Sequence, residues 1–206
     1  MGAYENLREY HLDVMREVGN IGAGNACTAL SVLLGTQIDM SVPSVHLLGF
    51  DSTSKYLGGG AHKVLGIRID VSDDLEGMML HIIKKRFAER IINTFYEKKL
   101  DDFDCMDEMD ASVLSEMANI TSGAYANSIA TLTDMQINIG APIKTKSMTV
   151  GDILKIPFES FSALSDKILI IDEQFTIGDE QITSNMILIL ENSSLTKLFK
   201  KLEIKE

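Results

Sequence analysis

Cysteine, positive charge and long apolar runs are all scarce in this sequence, and each scarcity excludes something. Only two cysteines, Cys27 and Cys105, occur in 206 residues. They lie far apart and outside any ligand spacing, so neither a disulfide framework nor a zinc site is expected, and a reduced, cytoplasmic setting is the simplest reading. Lys and Arg number 19 against 30 Asp and Glu, a net charge of −11. That balance argues against nucleic acid or an anionic membrane as partner, because both call for clustered cations. The one basic concentration, Lys197, Lys200, Lys201 and Lys205, reads as a solvated helix face. Apolar runs such as MILIL at 186–190 are strand-sized, so no membrane insertion is expected. The opening MGAYENLREY has no apolar signal region, and Asn6 stands where a myristoylation pattern needs Ser or Thr. His11, His46, His62 and His81 are scattered without metal-ligand spacing, and no Gly–x–Ser–x–Gly elbow occurs. No metal or cofactor of the chain's own is therefore expected.

What remains is an ordinary globular composition, 45% hydrophobic and 24% charged, with glycine concentrated in one place. The stretch REVGNIGAGNACTAL (16–30) carries Gly19, Gly22 and Gly24 within six positions. An internal repeat decides how to read it. A shift of 99 residues aligns Glu17 with Glu116, Asn20 with Asn119, Ile21 with Ile120, Gly24 with Gly123 and Pro43 with Pro142. In the second copy Ala118 and Thr121 replace Gly19 and Gly22. A phosphate-cradling loop cannot lose those glycines, which supply positive φ and close backbone approach. The stretch is read as helix, although each interior glycine costs about 1 kcal/mol relative to alanine.

The repeat continues through HKVLGIRIDV (62–71) and DKILIIDEQF (166–175), then EGMMLHII and SNMILILE, and each half closes on an amphipathic helix. Periodicity predicts long helices over roughly 4–34 and 108–132, the first burying Val14, Val18, Ile21 and Val32. The acidic run DFDCMDEMD suits the positive end of the second helix. The alternating segments TQIDMSV and DMQINIG read as half-buried strands, followed by a loop with glycine or serine and a hairpin. The methionines of LEGMMLHII read as core. The expected fold class is α+β, internally duplicated about a pseudo-twofold axis, with two long helices packed on a shared antiparallel sheet. Residues 1–206 are expected to form one domain with repeat halves of approximately 1–100 and 101–206, since no linker composition separates them.

On a helical projection Asp13, Glu17, Asn20 and Gly24 fall within a stripe roughly 60° wide, about a quarter turn from the expected apolar face. Ser112, Glu116, Asn119 and Gly123 repeat it. Read from the residues alone, this is either a functional polar ridge with a dip at the glycine or a wetted surface whose glycines serve helix packing. The order Asp or Ser, three residues, Glu, two residues, Asn, twenty-two residues, Pro occurs twice without a gap, as Asp13, Glu17, Asn20, Pro43 and as Ser112, Glu116, Asn119, Pro142. It resembles the signature of the CheC/CheX/FliY phosphatases of bacterial chemotaxis, and the doubled site is similar to the CheC branch.

The resemblance implies hydrolysis of the aspartyl phosphate of phosphorylated CheY, with Mg²⁺ in that response regulator rather than in this chain. It implies that Asn20 and Asn119 orient the attacking water, and that Glu17 and Glu116 pair with the regulator's active-site lysine. Asp13, Ser112, Gly24 and Gly123 would lie at the motif's edge, while Pro43 and Pro142 read as structural, ending an edge strand. The same resemblance implies the receptor deamidase CheD as a partner. Two alternatives stand beside it: a binding module acting through CheD without catalysis, and a flagellar switch component. Gly19 and Gly22 make the first helix the softer one; the sequence does not say which site dominates, and the second is expected to be the faster only if flexibility hinders insertion.

Overall fold

The computed structural model describes residues 3–160 and 167–202; Lys205 of the basic tail and Asp166 of the repeat lie outside them. Two helices of 26 residues carry the candidate stripes, α1 (Glu9–Leu34) and α4 (Glu108–Thr133). The acidic run starts α4 by a reciprocal cap. The Asp107 carboxylate accepts from the Asp110 N–H at 2.9 Å, and the Asp110 carboxylate accepts from the Asp107 N–H at 3.0 Å. Lys98 Nζ bonds both carboxylates, at 2.8 and 2.5 Å, and holds the Asp107 carboxyl below its usual range. Residues 4–8 do not join α1. Ala3–Asn6 form a separate 3₁₀ turn, because the Tyr4 hydroxyl donates to the Leu190 carbonyl and accepts from the Leu190 N–H, both at 2.8 Å.

The expected buried face of α1 needs correction. Val18 is buried, but Val14 is half-buried, Ile21 is 46% exposed and Val32 80% exposed. The buried face consists of Met15, Val18, Gly19, Gly22, Ala23, Ala26, Leu30 and Leu34. A count of large apolar residues misplaces it, because α1 buries small residues so that neighbours can come close. A Cβ on Gly22 would lie 2.4 Å from Tyr125 Cδ1 and 3.1 Å from Tyr125 Cα of α4; one on Gly19 would meet Val42 Cγ2 at 3.0 Å. These glycines admit neighbours, and the space beside each is already filled.

The first half continues as β1 (Ile38–Ser41), β2 (Val45–Gly49), α2 (Phe50–Tyr56), β3 (Lys63–Asp73), β4 (Gly77–Ile83) and α3 (Lys85–Tyr96). The second half, after α4, runs β5 (Ile137–Ile139), β6 (Ile143–Lys144), β7 (Met148–Thr149), α5 (Val150–Ile153), α6 (Lys155–Ser160), β8 (Lys167–Ile177), β9 (Glu180–Leu190) and α7 (Asn192–Lys201). The segments read as loops after β2 and β7 thus hold short helices. The sheet order is β1-β8-β9-β4-β3-β5, with β2 also on β8 and β6 and β7 on β3. Exchanging the halves reverses that order onto itself, as a pseudo-twofold axis requires. Each half sends its first strand onto the other half's hairpin, Ile38 opposite Ile177 and Ile137 opposite Asp73.

The sheet is covered on both faces. One face, with Ile67, Ile69, Met79, Ile171, Met186 and Leu188, packs under α1, α3, α4 and α7. The other, with Met78, Leu80, Ile82, Ile170, Ile187 and Ile189, packs under the short helices through Leu57, Val150 and Ile153. Every residue of β4 is buried, which is why its sequence is apolar without alternation.

Two alanine substitutions on one helix should therefore differ in sign. Nothing lies within 4 Å of a Cβ on Gly24, so Gly24→Ala should raise Tm by about 2–4 °C, the worth of ~1 kcal/mol of helix propensity in a chain of this size. Gly22→Ala gains the same propensity but must displace Tyr125, and overpacking of about 1–3 kcal/mol should lower Tm instead. Thermal melts of the two variants check this; a Gly22→Ala protein melting above the parent would contradict the close approach.

Candidate functional site

Both stripes form on their helices, and the structure reaches them differently. Asp13, Glu17 and Gly24 are exposed on α1, as are Ser112 and Glu116 on α4; Gly123 is half-buried with Ile139 beside it. Asn20 and Asn119 are both half-buried. The expectation of two fully outward carboxamides is thus modified, because each Asn sits at the boundary between solvent and the packed face.

In the first copy the carboxamide has a partner. Asn20 Oδ1 accepts from the Val42 N–H at 2.7 Å, and Asn20 Nδ2 donates to the Val42 carbonyl at 3.3 Å. A carboxamide carries the same donor and acceptor as a peptide group, so here it pairs with a backbone unit just past the end of β1. One N–H and one acceptor lone pair of the amide remain. Pro43 follows directly, has no N–H to satisfy and keeps Val42 extended. Gly19 provides the space that lets Val42 approach α1. On the far side of this strap the Ser44 hydroxyl donates to Asp172 Oδ2 at 2.5 Å, and the Asp172 N–H donates to the Ser44 carbonyl at 3.0 Å. The twenty-two-residue interval from Asn20 to Pro43 therefore has a local structural cause.

In the second copy no hydrogen bond joins the Asn119 side chain to any described residue. Ala118 takes the place of Gly19 and Ala141 that of Val42, so bulk has moved from the strap to the helix. The carboxylates differ likewise. Arg16 Nη2 lies 3.1 Å from Asp13 Oδ1 and Arg16 Nε 3.9 Å from Glu17 Oε1. Ser115 stands at the Arg16 position in the second copy, and Glu116 has no ion pair among the described residues. Glu17 is 71% exposed, and in both copies the Glu lies one turn before the Asn. Either ridge thus offers a carboxylate and, within about 5 Å of helix rise, a carboxamide. Such a surface can dock a cation and hold a water, but it has no nucleophile or general base of its own beyond the carboxylate. Pro43 is exposed and Pro142 half-buried, each in the connection between two strands.

Three features escape sequence reasoning: the Val42 peptide as partner of Asn20, Arg16 as partner of the first-copy carboxylates, and a polar group buried beneath α4. Only the fixed Asn-to-Pro interval could have signalled the first. Among the described residues no group of three or more His, Cys, Asp or Glu side chains is placed to hold a metal ion, and no helix is long and apolar enough to cross a membrane. Cys27, beside this region on α1, has its thiol pushed up by burial.

Comparison with known proteins matches the same two segments. The profile of the CheC-like family fits residues 11–47 and 109–143, each running from a stripe to its proline. The chain is 30% identical over 205 residues to the CheY-P phosphatase CheC of Bacillus subtilis, covering 97% of both. It is 27% identical to the flagellar motor switch phosphatase FliY of the same organism, over 67% of this chain and 36% of that one. Its fold is similar to the crystal structure of Thermotoga maritima FliY, with TM-score 0.76, 21% identity, and 98% and 100% of the two chains covered.

The two asparagines should differ in what they contribute to stability. Val42 is 1% exposed, so Asn20→Ala strands a buried N–H and should cost about 1–3 kcal/mol in denaturant unfolding. Asn119→Ala should stay within about 0.5 kcal/mol of the parent. Equal losses would contradict the asymmetry between the copies.

Proposed function

The chain belongs to the CheC-like family, and on that premise we propose that it accelerates hydrolysis of the aspartyl phosphate of a phosphorylated CheY-type response regulator. One observation carries the reading: the same exposed carboxylate and, one turn on, the same carboxamide stand on both long helices, and the Asn119 side chain has no hydrogen bond to any described residue. Phosphoryl transfer proceeds through a loose transition state, so a protein can add most by positioning. A carboxamide cannot act as general base, but it can hold a water in line with the P–O bond. Immobilising one water beforehand saves up to about 2 kcal/mol, roughly thirtyfold in rate. Alignment and exclusion of bulk solvent supply the remainder.

In this proposal Asn20 and Asn119 enter the regulator's active site and orient the attacking water, while Glu17 and Glu116 pair with its lysine and set the helix register. The Mg²⁺ belongs to the regulator. Asp13, Ser112, Gly24 and Gly123 border the contact. The second site acts faster, because Asn119 and Glu116 are uncommitted whereas Asn20 must yield part of its bonding to Val42 and Glu17 shares its surroundings with Arg16. CheD is a further proposed partner, and phosphate decay followed with and without it tests that role.

Loss of phosphate from the phosphorylated regulator is the measurement. Asn20→Ala with Asn119→Ala should return decay to the regulator's own rate with the fold intact; normal acceleration by this pair sinks the water-positioning role. Of the single variants, Asn119→Ala should lose the larger share. Glu17→Ala with Glu116→Ala should weaken binding by about fivefold per site, the worth of an exposed ion pair near 1 kcal/mol, with loss of binding steeper at low salt. Unchanged affinity would remove the docking role.

A further inference from the structure

Beneath α4 lies a polar group that neither stripe uses. Tyr125 donates its hydroxyl to Glu173 Oε1 of β8 at 3.1 Å, and His81 of β4 shares a 2.8 Å hydrogen bond between Nε2 and Ser122 Oγ. His81 Nδ1 lies 3.8 Å from Glu173 Oε2 and links the two contacts. All four side chains are buried, with exposures of 0–3%. Burial, reinforced by the Glu173 charge, pushes the Tyr125 hydroxyl well above its usual range, so it remains a donor.

The group is not repeated by the pseudo-twofold axis. That axis passes between His81 and Met186, direct partners across β4 and β9. Glu173 corresponds to Ile69, because Ile177 and Asp73 take equivalent places opposite Ile38 and Ile137. Ser122 and Tyr125 correspond to Ala23 and Ala26 under the 99-residue shift. The symmetry-related positions therefore hold Ala23, Ala26, Ile69 and Met186 in place of Ser122, Tyr125, Glu173 and His81.

We infer that Ser122, His81, Tyr125 and Glu173 are positioning residues for the second site, tethering α4 to two different strands so that Asn119 is held at the solvent boundary with no hydrogen bond to any described residue. Apolar packing is non-directional and leaves a helix free to roll or slide by fractions of an ångström; hydrogen bonds to two strands fix both rotation and register. Ser122 is one turn beyond Asn119, so rotation stopped there is rotation stopped at the carboxamide. On α1 the corresponding alanines can make no such tie, and the Asn20 carboxamide itself ties helix to strap through Val42. The copies thus divide the work: the first anchors its helix with the motif's asparagine, and the second anchors from below and leaves that asparagine uncommitted. Gly22 belongs to the same device, because its missing side chain lets Tyr125 pass beneath α1 toward Glu173.

The inference rests on the proposed phosphatase reading for its activity arm but not for its structural arm. Tyr125→Phe and Glu173→Gln remove the hydroxyl or the charge at nearly constant volume. Amide hydrogen exchange of each should show residues 116–125 exchanging about tenfold faster while residues 14–23 keep their protection; unchanged exchange in 116–125, or equal acceleration in both helices, overturns the tether. With phosphorylated regulator, the same substitutions in an Asn20→Ala background should cut acceleration roughly ten- to a hundredfold, the scale of a misplaced positioning group. In an Asn119→Ala background, where only the first site acts, they should change it less than about twofold. Equal losses in the two backgrounds overturn the positioning role, since general destabilisation would affect both sites. If either variant fails to fold, Ser122→Ala, which deletes one hydroxyl, is read by the same two measurements. Failure of the phosphatase reading itself shows separately, as no acceleration of phosphate loss by the unsubstituted protein, while the exchange arm still reads the tether.

Discussion

The antiparallel pairing of β4 with β9 joins the two halves, and both candidate stripes are arranged around it. Both strands are apolar on both faces, so the sheet must be covered above and below. The long helices cover one side and the short helices the other. Because the axis runs through this pair, each position on the surface of the first half's helix has a symmetry-related position on the second. A duplicated surface site is thus a geometric consequence of how the sheet closes, and it requires no contact between the two stripes.

Symmetry of backbone does not impose symmetry of chemistry. In one half a carboxamide is paired with a peptide group and two carboxylates share an arginine. In the other the matching groups are uncommitted, and the polar contacts have moved into the core. An amide engaged in two hydrogen bonds must exchange them for new ones when it meets a ligand, whereas an unengaged amide gives up only water. The half whose helix is secured from beneath can therefore present its motif at lower cost. Close packing makes this division possible: Gly19 and Gly22 let Val42 and Tyr125 pack against α1 at distances a Cβ would crowd at Gly19 and obstruct at Gly22.

Much of this was legible in the sequence. The repeat predicted two equivalent helices, two equivalent hairpins and a shared antiparallel sheet, and the sheet order reverses onto itself accordingly. The stripes were readable because exposed Glu and Asn at fixed helical spacing need no tertiary information. The buried face of α1 was misread for the converse reason. Val32 looks like core by type but faces solvent, and Gly22 looks like a breaker but is core by contact. Periodicity scores a residue by its own size, while burial depends on the size of its neighbour. The short helices α2, α5 and α6 escaped because segments this brief carry too little periodicity to register. The Asn20–Val42 bond and the Tyr125–Glu173 bond join residues 22 and 48 positions apart, and no local pattern reports a contact of that kind.

The exchanged edge strands also order events in time. As the chain leaves the ribosome, β1 emerges well before its partner, the Gln174 to Ile177 segment of β8, which follows only after both long helices. Until then the first half can close its own hairpin, β3 on β4, but not its sheet. Its apolar strands must wait, with one edge open, until β8 has been made. Long-range pairing of this kind slows folding and prolongs exposure of sticky edges. The exchange thus leaves the first half's sheet incomplete until the second half has been made through β8, and ties its closure to the arrival of distant sequence.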